Sequence, residues 1–249
     1  MTLRGKLALV TGGAGGIGRG ICTRLAQDGA TVVVADLDGG AVRTTADEVA
    51  AETGGCLHPV VLDVTDSGSR RAVIGRCADL GGADLLVNCA GVLRDARVGK
   101  LDPALFRRLL DINLIGPLAL IRLAAAGMVE RGEGAVVNLA SRAWLGTFGS
   151  TAYSTAKGGL VGATRSLALE LGRSGITVNA IAPGFVETPM TKGLPPEIRR
   201  RTLDAVPVGR AGRPDDVADA VAYLATAPYV TGQVLVVCGG RSIGDPYTV

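Results

Sequence analysis

Residues 6–18 read Lys6-Leu7-Ala8-Leu9-Val10-Thr11-Gly12-Gly13-Ala14-Gly15-Gly16-Ile17-Gly18, a short apolar run followed directly by a glycine-rich turn. Apolar residues continue at helical spacing as far as Gly29, so the stretch predicts a strand, a tight turn and a helix that begins near Gly16. Glycines let a backbone approach a ligand closely, and the N–H groups at a helix start bind anions. The turn is therefore a candidate pyrophosphate site, with an ordinary tight connection as the alternative.

A second apolar run covers residues 30–36 and ends in Asp36, about twenty residues beyond the turn. An acid at this place accepts a hydrogen bond from a ribose 2′-hydroxyl in dinucleotide-binding folds. Its carboxylate would repel the 2′-phosphate of NADP, so Asp36 favours NAD. The nearby cations Arg19 and Arg43 are predicted to lie on helices. The alternative interpretation of Asp36 is a cap for the next helix.

The rest of the chain alternates apolar runs with helical stretches. Near-continuous apolar strands of this kind are typical of a parallel sheet that is covered on both faces. We predict a single α/β domain over residues 1–249, with a Rossmann-type, doubly wound, seven-stranded parallel sheet and helices on both faces. The five further strands are expected at about residues 58–63, 84–88, 134–140, 176–182 and 233–237.

The composition narrows the classes of function. The chain has 249 residues, 47% of them hydrophobic, and a formal charge of +3 with its basic residues scattered, so nucleic-acid binding is not expected. We see no secretory leader and no stretch of membrane-span length, and we expect a soluble, cytoplasmic protein. Five unpaired cysteines and the single histidine His58 argue against a disulfide framework and against a histidine-based metal site.

Small and polar residues follow four of the predicted strands. Ligands of parallel sheets gather at the carboxyl ends of the strands, so these residues are candidates for a common site. They are Asp63 and Val64 after the third strand, Asn88, Ala90 and Gly91 after the fourth, Ser141 after the fifth, and Pro183, Gly184 and Thr188 after the sixth.

Tyr153 and Lys157 are four residues apart in a helical pattern, which places them on one face of a helix. At about 6 Å and an effective dielectric near 20, the ammonium would stabilise a phenolate by roughly 3 kcal/mol, or about two pKa units. The pKa of the tyrosine would then lie around 8, which suits acid/base work near neutral pH. For an isolated pair, the alternative is a solvated lysine beside a half-buried tyrosine.

The chain resembles the classical short-chain dehydrogenase/reductase family, with similarity to its 3-oxoacyl-(acyl carrier protein) reductases. The resemblance extends over most of the length. It rests on TGxxxGIG at residues 11–18, NCAG at residues 88–91, Asn113, Ser141, YxxxK at residues 153–157, and a Pro183-Gly184 segment with Thr188.

The resemblance implies a role for each matching residue. Tyr153 passes a proton to or from the substrate oxygen, Lys157 binds the nicotinamide ribose and lowers the pKa of Tyr153, and Ser141 hydrogen-bonds the substrate oxygen. The nicotinamide supplies the hydride chemistry. The implied catalytic residues are Asn113, Ser141, Tyr153 and Lys157. The implied cofactor-binding residues are Gly12, Gly15, Gly16, Ile17, Gly18, Asp36, Asp63, Val64, Asn88, Ala90, Gly91, Tyr153, Lys157, Pro183, Gly184, Val186 and Thr188.

Asn113 stands four residues before Pro117. Because proline has no N–H, the carbonyl of Asn113 would lack its helical partner and could hold a water that links Lys157 to solvent. The family implies such a relay. The alternative is an Asn that caps or kinks a long helix.

Two departures from the common family pattern occur. Cys89 stands where a second Asn is more usual, and we interpret it as a tolerated small residue. Ser141 precedes Tyr153 by twelve residues, one fewer than in many relatives, so Ser150 or Thr151 is an alternative to Ser141.

The substrate is less well specified. Residues 185–207 are rich in helix breakers and predict a mobile lid. Within it, residues 199–201 are three arginines that suit the phosphate of an acyl thioester or form a solvated helix face. An apolar pocket wall or simple loop packing is predicted for Trp144, Leu145, Phe148 and Met190.

The preferred function is an NAD-dependent dehydrogenase or reductase for a secondary alcohol and its ketone. The alternatives are a 3-oxoacyl thioester reductase and, less favoured, a non-catalytic NAD-binding regulator. Epimerases and dehydratases are disfavoured by the short chain. Small and apolar residues at Ala156, Leu160, Ala163 and Leu167 exceed what one face needs, so a homotetramer is predicted, and residues 241–249 are expected to dock on a neighbouring subunit.

Overall fold

A computed structural model of the protein describes residues 3–243, apart from the side chains of Met190 and Lys192. One sheet takes its strands from the whole of this range, and all neighbouring strands are parallel in the order β3-β2-β1-β4-β5-β6-β7. The predicted seven-stranded Rossmann-type sheet is confirmed. The strands are β1 Leu7–Thr11, β2 Thr31–Asp36, β3 Leu57–Val61, β4 Leu85–Asn88, β5 Gly134–Leu139, β6 Ile176–Pro183 and β7 Val234–Val237.

Helices connect the strands, and the first of them begins at Gly16 as the glycine turn predicts. It ends before Gly29, whose φ of 91° is readily adopted only by glycine. The helices are α1 Gly16–Gln27, α2 Gly39–Thr53, α3 Ser67–Asp79, α4 Pro103–Leu110, α5 Gly116–Arg131, α6 Thr151–Leu171, α7 Pro189–Lys192, α8 Pro196–Asp204 and α9 Pro214–Thr226.

Both faces of the sheet are covered, and β1 shows how the sequence achieves this. Successive side chains of a strand point to opposite faces. Leu7 and Leu9 pack into a cluster with α3, α5 and α6, whereas Ala8 and Val10 pack into a second cluster with α1, α2 and α9. A strand that is buried on both faces must be apolar throughout, which is why the run before Thr11 carries no polar residue.

The chain order reverses at β1, which lies between β2 and β4. Thr11 at the end of β1 is opposite Ala35 in β2 and Asn88 in β4. Open α/β sheets bind ligands in the crevice beyond the carboxyl ends of the strands at such a reversal. The fold therefore brings the glycine turn, Asp36 and residues 88–91 to one edge.

Helices α4 and α5 and the five residues between them form one continuous helical stretch, Pro103–Arg131, which corrects one expectation from the sequence. By length and composition alone it is long and apolar enough to cross a membrane, so the expectation that no stretch reaches that length was wrong. The core helices of globular proteins also pass this test. Leu120, Ile121 and Met128 are fully buried against the sheet.

The surface of α6 corrects part of the predicted subunit interface. Ala156 and Leu160 are completely buried within the chain itself, so they leave no apolar surplus for a partner. Ala163 and Leu167 are half-buried and line an open groove of about 510 Å³ between α5 and α6. Of the four residues that the sequence indicates as an apolar surplus, only Ala163 and Leu167, in the carboxyl-terminal half of α6, are therefore available to a partner.

The predicted lid, residues 185–207, contains α7 and α8, and α8 has no buried residue. Of the predicted docking tail, Arg241 to Ile243 follow β7 within the described residues. The part that contains Pro246 and Tyr247 lies outside them.

Candidate active site

The glycine turn is packed too tightly for side chains. Gly12 has a φ of 66°, and a Cβ at this position would lie 2.7 Å from the Cα of Ala90. A Cβ on Gly18 would collide with the carbonyl of Gly12. The turn is closed by hydrogen bonds from the Gly15 N–H to the Gly12 carbonyl (3.1 Å) and from the Ala14 N–H to the Asp36 carboxylate (3.2 Å). The predicted turn residues thus lie together between β1 and β4.

Asp36 ends β2 and is half-buried beside this turn. Its second carboxylate oxygen accepts the N–H of Leu37 at 2.7 Å, and Leu37 itself is exposed. Arg19 lies on α1 and pairs with Glu48, while Arg43 lies on α2. Both arginines occupy the helices that the sequence predicts for them.

Thr11 is a site residue that the sequence interpretation did not single out. Its hydroxyl oxygen accepts the N–H groups of Cys89 and Ala90, both at 3.1 Å. It therefore ties the end of β1 to the segment that follows β4. The sequence does contain a signal for this role, a hydroxyl residue directly before the first glycine. Its side chain can hydrogen-bond backbone groups where the hydrogen bonds between strands end.

Asn88 belongs to a buried polar chain between three elements. Its amide nitrogen donates to Asn138 in β5 at 2.9 Å, and Asn138 donates to Thr164 in α6 at 3.0 Å. The amide oxygen of Asn88 is buried without a hydrogen-bond partner. Such an orphan acceptor is uncommon and favours a ligand or water at this place. Asn138 and Thr164 were not singled out from the sequence because only the strand order brings them together.

Asn113 is completely buried in a π-helical segment, Asp111–Ile115, that joins α4 to α5. Pro117 follows immediately in α5 and has no N–H for the Asn113 carbonyl, which accounts for the local change of helix type. The side-chain amide accepts from the Val92 N–H (3.2 Å) and donates to the Val92 and Leu109 carbonyls (both 3.0 Å).

Gly91 brings Asn113 and Lys157 together. A Cβ on this glycine would lie 2.7 Å from the amide oxygen of Asn113 and 3.5 Å from the ammonium of Lys157. The two predicted catalytic residues, 44 positions apart in the chain, therefore meet at the carboxyl edge of β4.

Ser141, Tyr153 and Lys157 lie together, as the sequence predicts. The hydroxyl of Ser141 accepts the N–H of Ala143 at 3.1 Å, and Ser141 lies close enough to Tyr153 to lower the pKa of the phenol. The ammonium of Lys157 is 5.6 Å from the centre of the Tyr153 ring, and it donates to the carbonyl of Leu139 at 2.7 Å. Of the alternatives to Ser141, Thr151 is exposed and Ser150 is hydrogen-bonded to Asp95.

The acidity of Tyr153 differs from the expectation. Burial raises the pKa of Tyr153, and the hydrogen bond from Ser141 opposes that rise only in part. Burial also lowers the pKa of Lys157 to about 8. The lysine loses its own charge before it can stabilise a phenolate, so the predicted two-unit drop was wrong for the protein without a cofactor. A two-unit drop requires an ammonium that remains charged, and burial prevents this when the desolvation cost of the ammonium exceeds its attraction to the phenolate.

Asp95 is a second unpredicted residue near the tyrosine. Its carboxylate accepts the hydroxyl of Ser150, and the Ala96 N–H donates to the Gly149 carbonyl at 2.7 Å. Its negative charge contributes, after burial, to the raised pKa of Tyr153. Asp95 thus connects the loop after β4 to the start of α6, a contact between residues 55 positions apart that no local pattern indicates.

The segment after β6 reaches the glycine turn. A Cβ on Gly16 would lie 3.0 Å from the methyl group of Thr188, so these predicted cofactor residues are neighbours. Val186 is buried and bridges to Gly212, and Gly184 packs against Cys238 after β7.

Beyond β3, at the opposite edge of the sheet, Asp63 accepts the N–H (2.8 Å) and the hydroxyl (2.7 Å) of Thr65. These hydrogen bonds lower the pKa of Asp63 and keep it ionised. Val64 beside it is buried.

The residues predicted to form an apolar pocket wall have different surroundings. Trp144 packs with Ala140, Val161 and β6, and Phe148 is 84% exposed with Arg97 over its ring. Trp144 therefore packs the loop, which was the alternative interpretation, whereas Phe148 is largely exposed. The side chain of Met190 lies outside the described residues. In the lid, Arg199 pairs with Glu187, so residues 199–201 do not form one open basic patch.

The cysteines are free thiols. Burial raises the pKa of Cys89 to about 12, so this residue is no reactive thiolate, in agreement with its interpretation as a tolerated small residue. Within residues 3–243, no group of three or more His, Cys, Asp or Glu side chains is placed to hold a metal ion.

Comparison with known proteins agrees with this geometry. A family model described as Enoyl-(Acyl carrier protein) reductase matches residues 12–242. The chain is 44% identical, over 98% of its length and 99% of the relative's, to the BbsD subunit of (2S)-[(R)-hydroxy(phenyl)methyl]succinyl-CoA dehydrogenase from Thauera aromatica. The chain belongs to the short-chain dehydrogenase/reductase family.

Two further members extend the comparison. The chain is 37% identical to the 3-oxoacyl-(acyl-carrier-protein) reductase FabG of Thermotoga maritima, over 98% of this chain and 100% of that protein. A structure of 7α-hydroxysteroid dehydrogenase complexed with NADH and 7-oxo glycochenodeoxycholic acid superposes with a TM-score of 0.92 and 34% identity, covering 96% and 95% of the two chains. The resemblance inferred from the motifs is confirmed.

The residues of this short-chain dehydrogenase/reductase fit a nicotinamide dinucleotide. The N-cap of α1 is Gly15, which offers no side-chain acceptor, and the first turn of the helix contains no acid. The N–H groups of that turn are therefore available to a pyrophosphate, and no nearby helical carboxylate repels it. The orphan acceptor on Asn88 lies at the same edge.

Proposed function

We propose that this short-chain dehydrogenase/reductase is an NAD(H)-dependent oxidoreductase that interconverts a secondary alcohol and a ketone. The observation that carries the proposal is the cluster of Ser141, Tyr153 and Lys157 beside Gly91 and Asn113, next to a glycine turn that fits a dinucleotide. A hydroxyl pair and an adjacent ammonium can bind a carbonyl oxygen and exchange a proton with it.

Each residue has a distinct part in the reaction. The bound nicotinamide supplies the hydride chemistry. Ser141 hydrogen-bonds the substrate oxygen, and Tyr153 gives a proton to that oxygen in ketone reduction or takes one from it in alcohol oxidation. Lys157 holds the nicotinamide ribose, and the carbonyl of Asn113 holds a water that returns protons to solvent.

The direction of the pKa shift on Tyr153 relates to the direction of reaction. Because the pKa of the tyrosine is raised, the phenol is protonated near neutral pH and is ready to donate. Ketone reduction is thus supported at neutral pH, whereas alcohol oxidation should be faster at alkaline pH.

The names of the relatives favour a more specific substrate. FabG of Thermotoga maritima acts on a 3-oxoacyl thioester, and the Thauera aromatica enzyme acts on a hydroxy(phenyl)methyl-substituted succinyl-CoA. We therefore place 3-hydroxyacyl and 3-oxoacyl thioesters first among the alcohols and ketones to be tested.

The preference for NAD rests on Asp36. Its carboxylate stands at the end of β2, and the next residue, Leu37, carries no positive charge that could receive a 2′-phosphate. Arg19, the nearest cation on α1, is paired with Glu48. A preference for NADP in steady-state assays would overturn this assignment.

The test of the proposed function is the substitution Tyr153→Phe. It removes the proton donor but keeps the ring, so turnover should fall by roughly 100-fold or more. The affinity for NADH, measured by fluorescence titration, should stay close to that of the unmodified protein. Tyr223→Phe, on the exposed side of α9, is the matched control. Turnover that survives Tyr153→Phe would contradict the assignment of the proton donor.

A further inference from the structure

Two arginines stand at the carboxyl edge of the sheet, and neither is assigned a role by the proposed reaction. Arg142 follows Ser141 directly after β5, and Arg241 follows β7 by four residues. β6 lies between these strands and holds them in register through hydrogen bonds from Ala140 to Ile181 (2.7 Å) and from Gly184 to Val237 (2.8 Å). The ends of β5 and β7, from which the two arginines follow, are two strand spacings apart, or about 10 Å.

The two side chains are near enough for the charge of Arg142 to act on Arg241. Burial lowers the pKa of Arg241, and the charge of Arg142 lowers it further. The topology accounts for this repulsion, because the two arginines follow β5 and β7, the strands on either side of β6, at the same edge of the sheet. Cys238, whose thiol accepts the N–H of Ser242 at 3.4 Å, is the other titratable group that acts on Arg241.

No acid neutralises this pair within residues 3–243. The ion pairs in that range involve other arginines and lysines, and no hydrogen bond there uses the guanidinium of Arg142 or Arg241. The Nε of Arg142 is buried without a partner. A buried donor without an acceptor and two unneutralised like charges both cost free energy, and one anion between them would remove both costs.

The position of the pair relates it to the reacting atoms. Arg142 is the chain neighbour of Ser141, which lies close enough to Tyr153 to lower the pKa of the phenol. Arg241 lies beyond Cys238, which packs on Gly184 in the segment that leads to Val186 and Thr188. An anion held by the two arginines would thus stand on the β5–β7 side of the reaction centre, whereas the glycine turn lies on the β1 side.

We propose that Arg142 and Arg241 form a subsite for a carboxylate of the substrate, so that the preferred substrate is a secondary alcohol or ketone that also carries a carboxylate. The planar fork of a guanidinium matches a carboxylate with two parallel hydrogen bonds, and a pair of forks holds it more firmly than either alone. This inference rests on the proposed function, since it specifies the substrate of the same site.

A competing occupant is an acid of the chain's own end. Asp245 lies outside the described residues, four positions beyond Arg241. If its carboxylate filled the subsite, the arginines would anchor the tail and would not select the substrate. The experiment therefore includes a chain that ends at Ile243.

The first measurement compares two substrates that differ in one group. Two substrates are oxidised with NAD in parallel assays: a 3-hydroxyacyl thioester with a free carboxylate at the far end of its acyl chain, and the methyl ester of that carboxylate. The comparison is repeated for three lengths of the acyl chain. We expect kcat/KM to favour the acid by about 10- to 100-fold at the best length. In Arg142→Met and Arg241→Met, that preference should fall by about tenfold or more, with partial recovery in the corresponding Lys variants.

Arg173→Met is the matched control, because it removes one charge from an exposed position at the opposite, amino-terminal edge of β6. It should keep the preference for the acid. The unfolding temperature of each variant shows whether a loss of preference reflects a loss of folding.

The second measurement does not require turnover. Succinate and glutarate are titrated by calorimetry into the protein with NADH bound. Binding to the unmodified protein that is lost in both arginine variants supports the subsite, even if no alcohol is oxidised and the proposed function fails. Turnover of alcohols with no preference for the acid and no dicarboxylate binding overturns the subsite and leaves the proposed function intact. Dicarboxylate binding that appears only after removal of residues 244–249 assigns the arginines to the tail and also overturns it.

Discussion

At the scale of single residues, burial controls the chemistry of the site more than the contact between Tyr153 and Lys157 does. Lys157 is 3% exposed and has one carbonyl partner, Leu139. An ammonium in such a place loses its hydration, and its pKa falls to about 8. Tyr153 responds in the opposite sense, since the charged form of a phenol is the deprotonated one.

This burial predicts that Lys157→Met stabilises the protein near neutral pH. The pKa of the lysine is depressed from 10.5 to about 8 on folding, so the unfolded chain holds the proton more firmly between these values. The contribution of Lys157 to stability is therefore unfavourable below about pH 8 by up to about 3 kcal/mol, and the penalty disappears as the pH rises towards 10.5.

Urea denaturation of the unmodified protein and of Lys157→Met at pH 7 and pH 10 measures this difference. The advantage of the variant should shrink as the pH rises. Lys100→Met, at an exposed position, is the control and should show no such trend. If the stability advantage of Lys157→Met stayed constant with pH, burial would not be lowering the pKa of Lys157.

Asp95 should act on Tyr153 through its charge. After burial, this charge is one of the contributions that raise the pKa of the tyrosine, so Asp95→Asn should lower that pKa. The limb of the pH–rate profile that reports the tyrosine should then move to lower pH. Ser150→Ala removes the hydrogen bond to Asp95 but keeps the charge, and it should leave the limb in place while it alters the loop. Equal shifts in both variants would indicate a structural effect only.

At the scale of secondary structure elements, the site depends on how closely the ends of β1, β4 and α1 approach. The turn between β1 and α1 is filled by backbone atoms of residues 89–90, which leaves no room for a side chain at Gly12. The π-helical segment before α5 makes a similarly close approach after β4, because it places the side chain of Asn113 against Gly91.

Gly12→Ala and Gly54→Ala separate two costs of replacing a glycine. Both residues have φ near 70°, at 66° and 69°, but a Cβ on Gly54 meets no atom within 4 Å. Gly54→Ala should lose about 1 kcal/mol of unfolding free energy from backbone strain alone. Gly12→Ala should lose more, since its Cβ also meets Ala90, and its affinity for NADH should fall. Equal losses in urea denaturation would mean that the turn relaxes without cost.

At the scale of the whole molecule, an apolar groove remains between α5 and α6. It has a volume of about 510 Å³, and its half-buried apolar lining includes Leu118, Ala163 and Leu167. Contiguous apolar surface of this kind marks an interaction site more often than a solvated face. We keep the prediction of a homotetramer and place its contact on this groove.

Light scattering after size exclusion tests the assembly. At micromolar concentration the protein should run as a tetramer, and Leu167→Glu should reduce its mass to that of a dimer or a monomer because a charge would be buried in the contact. Val61→Glu, at the exposed edge strand β3, is the control and should remain a tetramer. A monomer for the unmodified protein would contradict the prediction.

The order of elements and the edge at which the site lies follow from local patterns in the sequence. The alternation of apolar strands with helices predicts the sheet, and the glycines between β1 and α1 predict the turn at its reversal point. The four-residue spacing of Tyr153 and Lys157 predicts their common helix face. These predictions succeed because each rests on the geometry of one element.

Only the tertiary structure determines what depends on burial and on distant neighbours. It reverses the predicted acidity of Tyr153, places Trp144 in a packed cluster, brings Asp95 to Ser150, and places Arg142 and Arg241 after the two strands that flank β6. The physical reason is that the energy of a charge or a polar group depends on the solvent and the partners that surround it. Elements distant in the chain supply those surroundings, so the sequence names the groups of this site but the packing of the sheet edge decides their charge and their partners.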